Sequence, residues 1–461
     1  MTTLGLEEKR VTNLVSALVL GALLAAAGCG GGSAPPSHAT VDAGADAARD
    51  GMVDAGPAND RGGTPDAGTD AGVDTMIDAR SEDASAPVDA EDGAVADAAA
   101  GDGGATDAQG NADVGAEASD AGGGRPEILV VATYLGGISS FRIVAESGAL
   151  IPVTSSLDSG AQLYAVAAHP SGNFVYAADL RGRVYGYRVN RDDGSLADLS
   201  AAPLMIGGQA ISAAIDPQGR FLYVGNNGDN SLYAFAIDRT SGVLTPIMGS
   251  PFPLAATPAG LCFHPTGAFL FLSSIASSAT TVGGIRVFKL DATSGAPQET
   301  DHSPFATTIF GGALAAHPNG NFLYDSAFGV HVLAVDPTSG DLRELDDSPH
   351  PGAQSDNLAV DVAVDPLGQF LWASDSAGPL TAYRLDTAGV FGGVDTSPFD
   401  AHTLPYSVAI DPSGRFVYVG NDDADQVSAF SLERATGNLQ PVMNSPFTVH
   451  GLQPEMVIIG P

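Results

Sequence analysis

Three residues near the C-terminus are of types that move protons or hold metals: His402, His450 and Glu455. An imidazole can activate a water near neutral pH, and two imidazoles with a carboxylate are a workable metal-binding set. They are too far apart along the chain to act together unless the fold gathers them. Local catalytic signatures do not help: the part of the chain read as folded holds no phosphate-cradling P-loop, no HExxH, no GxSxG elbow and no CxxC pair. His169, His264 and His317 each precede a proline, at a step where the chain elsewhere places Asp216, Asp365 and Asp411. That interchange suits a backbone cap at a turn, not a metal ligand. Cys262 sits in the apolar run GLCF and reads as a core residue, not a nucleophile.

The elements that position these residues are copies of one unit. Its clearest copy is Ile215 to Pro246, IDPQGRFLYVGNNGDNSLYAFAIDRTSGVLTP, in which short β-rich runs alternate with turns such as NNGDN and RTSG. The proline of the recurring DP or HP step falls at Pro170, Pro217, Pro265, Pro318, Pro366 and Pro412, with spacings of 47, 48, 53, 48 and 46 residues. A period of this size marks a propeller or a solenoid. The ends of the array decide between them. MVIIGP at the C-terminus matches only the first strand of a unit, and EILVVATY, GGISSFRI and ALIPV after Gly124 supply the other three. One blade is shared between the termini, which closes a ring and removes open sheet edges. The predicted fold is therefore all-β: a seven-bladed β-propeller of four-stranded antiparallel blades over residues 125–461, 337 residues at about 48 per blade.

In such a ring, the start of each innermost strand and the turn between its second and third strands share one face. That puts Tyr164, Asp179, Asn226, Asn227, Asp325, Asp375, Tyr406, Asn421 and Glu455 on the candidate face, with His402 and His450 on connections leading towards it. Tyr164, Asp179, Asn226 and Tyr406 are the candidate ligand-binding residues; His402, His450 and Glu455 are the candidate acid/base or metal-binding cluster. The plainer alternative makes the Asn and Asp residues turn formers and the histidines solvated loop residues. Tyr176, Tyr223, Phe271, Tyr324, Trp372 and Tyr418 share one position in the unit and read as an aromatic layer between blades.

The chain before the propeller has two other compositions. In residues 1–28, Lys9 and Arg10 precede an apolar run from Val11 to Ala27, and AAGC places Cys29 after small residues. This resembles a bacterial lipoprotein signal, with Cys29 as the lipidated first residue of the mature chain; the alternative is an ordinary secretory signal cut near Ala27. Residues 29–124 are rich in Ala, Asp and Gly and poor in large apolar residues, and from Gly30 they carry 20 acidic and 3 basic residues. Such a segment buries too little surface to offset chain entropy and reads as a disordered, self-repelling tether. The propeller adds 32 acidic and 14 basic residues to a chain of net charge −35. That sign argues against nucleic acid as a partner. With Cys29 lipidated, Cys262 has no intramolecular disulfide partner.

The wording of the repeat is itself informative. RFLYVGNNGDNSLYAFAIDRTSGVLTP and RFVYVGNDDADQVSAFSLERATGNLQP, with SPF at Ser250–Phe252, Ser303–Phe305, Ser397–Phe399 and Ser445–Phe447, resemble the lactonase-like seven-bladed propellers related to bacterial 6-phosphogluconolactonase. Members that hydrolyse lactones carry a His-x-His step at the start of one innermost strand and a DLG-type turn with an Arg. The resemblance places Asp179, Leu180 and Arg183 at that turn, one residue shorter, while the two histidine positions hold Gln162 and Tyr164. The same innermost position elsewhere holds Ile211, Ala259, Gly312, Val360, Tyr406 and Glu455, so no histidine lines that ring.

Two functions follow. The favoured one is an exported, lipid-anchored and non-catalytic module of the cell envelope that binds a protein, peptide or glycan. The other is a hydrolase opening a sugar lactone, with His402, His450 or Glu455 as a substitute base and Arg183 assisting an anionic group. Neither calls for a cofactor or a metal. The chain reads as a monomer tethered to the membrane by lipid. Gly30 after Cys29 is not the acidic retention signal, so the outer membrane is the assigned location.

Overall fold

The computed structural model describes residues 125–461, apart from residues 159, 277–281, 307–310, 328, 347, 351–358, 376–378, 387–390, 395–396, 402–403 and 423. The signal segment, Cys29, the tether and His402 lie outside the described residues. Within them the secondary structure is β, in seven antiparallel sheets. Blade 1 is shared by the ends of the array as expected. Its order from rim to centre is Leu150–Leu157, Gly137–Ile143, Glu127–Tyr134 and Leu452–Ile459. The N-terminal strand pairs antiparallel with the C-terminal one, from Ile128 opposite Ile459 to Tyr134 opposite Leu452. Blades 2 to 7 follow along the chain. Their innermost strands are Leu163–Ala168, Ala210–Ile215, Thr257–Phe263, Leu314–Ala316, Ala359–Val364 and Pro405–Ile410.

The repeat wording is explained by packing. The second strand of each blade lies between its own sheet neighbours and the flanking blades, so FVYAAD, FLYVGN, FLWASD and FVYVGN are buried along their whole length. The aromatic layer is present: Tyr176, Tyr223, Phe271, Tyr324, Trp372 and Tyr418 are all at most 1% exposed. The phenols of Tyr176, Tyr223 and Tyr418 reach the next blade, with Tyr176 donating to the Gly242 carbonyl at 2.7 Å and Tyr418 to that of Gly148 at 2.9 Å. The serine of the recurring Ser-Pro step turns back on the third strand, where Ser250, Ser303, Ser348, Ser397 and Ser445 Oγ accept from the N–H of Ala234, Val287, Val332, Ala382 and Ala429.

The pre-proline residues are turn caps in two forms. Asp216 accepts from the N–H groups of Arg220 and Phe221 in its own turn and pairs with the Arg220 guanidinium at 2.9 Å. The histidines instead bridge blades: Nε2 of His169, His264 and His317 meets the turn carbonyls of Gly219, Gly320 and Gly368 at 2.8, 2.9 and 3.0 Å. Cys262 is half-buried against the blade 4 core, and burial pushes its thiol up to about 12.

The innermost strands are irregular at one shared register. In blades 2, 3, 6 and 7 the pairing with the second strand skips a single residue: Tyr164, Ile211, Val360 and Tyr406. These are β-bulges, which break strict alternation and re-aim the side chains beside them.

Candidate functional site

The seven innermost strands surround a central cavity of about 300 Å³. Its wall takes two successive residues from most blades: Tyr164 and Ala165, Ile211 and Ser212, Ala259 and Gly260, Gly312 and Ala313, Val360 and Asp361. In blades 2, 3 and 6 the bulges are the reason, because on a regular strand only alternate residues would face the opening.

One arc of this wall, from blades 6, 7, 1 and 2, is polar and acidic, with Asp361, Tyr406, Glu455 and Tyr164. The tyrosine rings meet edge to face, their centroids 6.3 Å apart. The two carboxyl groups are half-buried and enclosed by the ring of strands. Asp361 is fixed by two backbone donors, the N–H of Val408 to Oδ2 at 2.9 Å and that of Val362 to Oδ1 at 2.8 Å. Enclosure raises its carboxyl to about 6 against the pull of those donors. Glu455 is raised well above the usual carboxylate range, by enclosure first and then by the charge of Asp361. The donors on Asp361 favour its anion, and nothing comparable offsets the rise at Glu455. The two carboxyls are therefore unequal, with charge favoured on Asp361 and the proton on Glu455. Burial likewise raises the phenols of Tyr164 and Tyr406, so both remain neutral donors.

The opposite arc, from blades 3 to 5, is small and apolar: Ile211, Ala213, Ala259, Leu261, Gly312 and Leu314. Asn227 also lines the cavity from blade 3, while Ser273, Ser326 and Asp325 bond backbone within the protein. Ser273 Oγ accepts from the Gly260 N–H at 2.7 Å and donates to the Gly312 carbonyl at 2.6 Å. Ser326 Oγ accepts from the Ala313 N–H at 2.9 Å, and Asp325, buried behind the strand, accepts from the Gly312 N–H at 3.3 Å. Gly312 has no room for a side chain, because a Cβ there would lie 1.2 Å from the Ser326 carbonyl oxygen. Ser212 lines this arc, but its buried hydroxyl faces Gly225 in the next strand. No Lys, Arg or His is among the described residues lining the cavity.

The residues singled out from sequence separate accordingly. Tyr164, Tyr406 and Glu455 come together on the acidic arc. His450 is exposed on the connection before the last strand, and its carbonyl receives the Thr133 hydroxyl; it does not line the cavity. The candidate pairing of His450 with Glu455 is therefore replaced by Asp361 with Glu455. Asp179 and Asn226 are wholly buried in their hairpin turns. Asp179 accepts from the N–H groups of Arg181 and Arg183 and binds the Arg183 guanidinium, which holds Arg183 at the turn and off the cavity wall. Asn226 accepts from the N–H groups of Gln209 and Gly228. Gln162 donates to the Tyr134 hydroxyl at 2.8 Å and ties blade 2 to blade 1. Asp361 was missed because strict alternation turns it away from the opening once Val360 faces it. The available signal was its charge in the apolar run LAVDVAV, where other blades place Ala165, Ser212, Gly260, Ala313 and Ser407.

Architecture and site define a closed seven-bladed propeller with two interacting carboxyl groups on the wall of its central cavity. The profile of the family described as lactonase, 7-bladed beta-propeller, matches residues 179–310 and 313–453, more than half of the chain. The chain belongs to that family. It is 28% identical over 151 residues to the 6-phosphogluconolactonase of Pectobacterium atrosepticum, covering 30% of this chain and 43% of that one. It is also 28% identical over 170 residues to that of Pectobacterium carotovorum, covering 34% and 49%. The chain thus spans about half the length, or less, of these curated relatives. Among solved structures, one from Bacteroides uniformis superposes with a TM-score of 0.62 at 20% identity, covering 73% of this chain and 100% of that one. The periplasmic gluconolactonase of Pseudomonas aeruginosa does so with 0.59 at 19% identity, covering 72% and 99%. At these identities the likeness is one of fold.

Proposed function

We propose that this protein hydrolyses an uncharged lactone in its central cavity, with Asp361 as general base and Glu455 as general acid. The observation that carries the reading is the pair itself: two carboxyl groups on one wall of the cavity, one of them bonded by two backbone donors that favour its anion and the other without such donors among the bonds of the described residues. Asp361 takes a proton from water as the water oxygen bonds to the lactone carbonyl carbon. The ring C–O bond then breaks, and the Glu455 proton passes to the departing ring oxygen. The product is a hydroxy acid, and the proton left on Asp361 is returned to Glu455. The Tyr164 and Tyr406 hydroxyls hydrogen-bond each other, and the O–H which that bond leaves free is the donor available to the carbonyl oxygen as it gains charge. Such a pair supplies the acid–base function that imidazoles were expected to supply, which favours hydrolysis over the non-catalytic module expected from sequence.

The wall also bears on the substrate. A phosphorylated lactone brings a dianion to a site with an ionised carboxylate and no cation among the described lining residues, and like charges at close range cost several kcal/mol. An uncharged lactone meets no such barrier, and its anionic product is repelled outward. Export and lipid attachment at Cys29, which we also propose from the signal segment, agree with an unphosphorylated substrate. They are tested by incorporation of labelled palmitate, lost in Cys29→Ala.

The deciding experiment is proton release by the purified full chain on a panel of lactones, with Asp361→Asn and Glu455→Gln as controls. Turnover lost in both variants is the expected result. A folded wild-type protein that binds a lactone without turning it over would overturn hydrolysis and restore the binding-module reading.

A further inference from the structure

We infer that the substrate is a lactone carrying an aliphatic substituent, seated with its ester at the acidic arc and its substituent against blades 3 to 5. The inference rests on the hydrolase reading and deepens it. A polyhydroxylated ring needs hydrogen-bonding partners around its whole edge, because each hydroxyl stripped of water without a partner is penalised. The cavity offers them mostly on one side, the Asn227 amide of blade 3 being the exception. Asp361, Glu455, Tyr164 and Tyr406 concentrate its hydrogen-bonding side chains in four neighbouring blades. Across from them, Ile211, Ala259 and Leu314 present hydrocarbon. The backbone behind them is already bonded to Ser273, Ser326 and Asp325. A ligand hydroxyl placed against Ile211, Ala259 or Leu314 would lose water and gain no partner, whereas a methylene would bury apolar surface against apolar surface. Gly312, with no space for a side chain of its own, keeps this arc recessed. The two arcs together orient the ligand, since reversing it would set the substituent against the carboxylates and the ester against hydrocarbon.

The test is a homologous series on the full chain: unsubstituted δ-valerolactone, the same ring with alkyl chains of increasing length, and glucono-δ-lactone. The expected result is that kcat/KM rises by about fourfold per added methylene until the cavity is filled, which is the ratio for transfer of one methylene out of water. Glucono-δ-lactone falls below the alkyl lactones. In Ala259→Leu the series peaks at a shorter chain, and in Ile211→Ala at a longer one. The second variant keeps the test decisive if the first does not fold. Hydrolysis of δ-valerolactone with a flat or falling alkyl series, or with glucono-δ-lactone preferred, overturns the inference and leaves lactone hydrolysis standing. No hydrolysis of any lactone by folded protein overturns both.

Discussion

The two arcs of the central cavity are built from the same repeat and have opposite chemistry. Blades 7, 1 and 2 turn Tyr406, Glu455 and Tyr164 to the opening where blades 3 to 5 turn Ile211, Ala259 and Gly312, and blade 6 adds Asp361 where those blades have Ser212, Gly260 and Ala313. The frame is equal on both sides: aromatic residues at most 1% exposed lie behind both arcs. The difference shows that the repeat specifies the ring and leaves the rim of each innermost strand free to diverge. Function can then be concentrated in part of a symmetric object without loss of stability.

The comparison breaks most completely if the acidic arc is emptied of its charge. Asp361→Asn keeps the shape and removes the base, and is expected to lower kcat/KM by about 10²–10⁴ in the proton-release assay. Glu455→Gln should act on the same scale. The pair also sets the pH profile. Asp361 must be ionised, so kcat/KM rises with pH through about 6, and Glu455 must be protonated, so it falls again on the alkaline side. Asp361→Asn should abolish the rising limb in whatever turnover remains.

A smaller effect is expected from the tyrosines. Tyr164→Phe removes one hydroxyl from the acidic arc and should reduce kcat/KM by about tenfold, the value of one hydrogen bond to developing charge. The same change at Tyr176, which bonds the Gly242 carbonyl between blades, should leave kcat/KM unchanged and lower stability by about 1 kcal/mol. Measured together by kinetics and thermal melting, the two separate site from frame.

The smallest effect concerns the support of the apolar arc. Burial raises the Asp325 carboxyl to about 8, against a single bond from the Gly312 N–H. An unfolded aspartate releases its proton near pH 4. Between these values the folded state holds the extra proton, so stability falls as pH rises through the window and the loss is complete above about 8. Asp325→Asn removes that dependence. Its melting temperature should exceed that of the wild type by a few degrees at pH 9, and the gap should shrink progressively as pH falls towards 4.

Most of the frame was legible in the residues. Six prolines at a near-constant spacing, and a C-terminal strand lacking its partners, pointed to seven blades and a shared one. The aromatic position and the His or Asp before each proline were readable because each repeats and each has one physical task. The site was legible only in part. Tyr164, Tyr406 and Glu455 could be read as lining the central opening because of their place in the innermost strands. Asp179 and Asn226 were grouped with them because the topology puts turns on the same face, but their side chains are spent on backbone N–H groups. His450 follows the same logic on a connection whose carbonyl, not its imidazole, is put to use.

Sequence alone therefore determined the ring: its period, its closure, its packing layer and its turn caps, since each rests on local residue types repeated many times over. The tertiary structure decided the site. A one-residue bulge at Val360 brings Asp361 onto the cavity wall, and closure of the ring sets it on the same arc as Glu455, contributed by the last strand of the array. Both events depend on register and on contacts between distant segments, which no local pattern encodes.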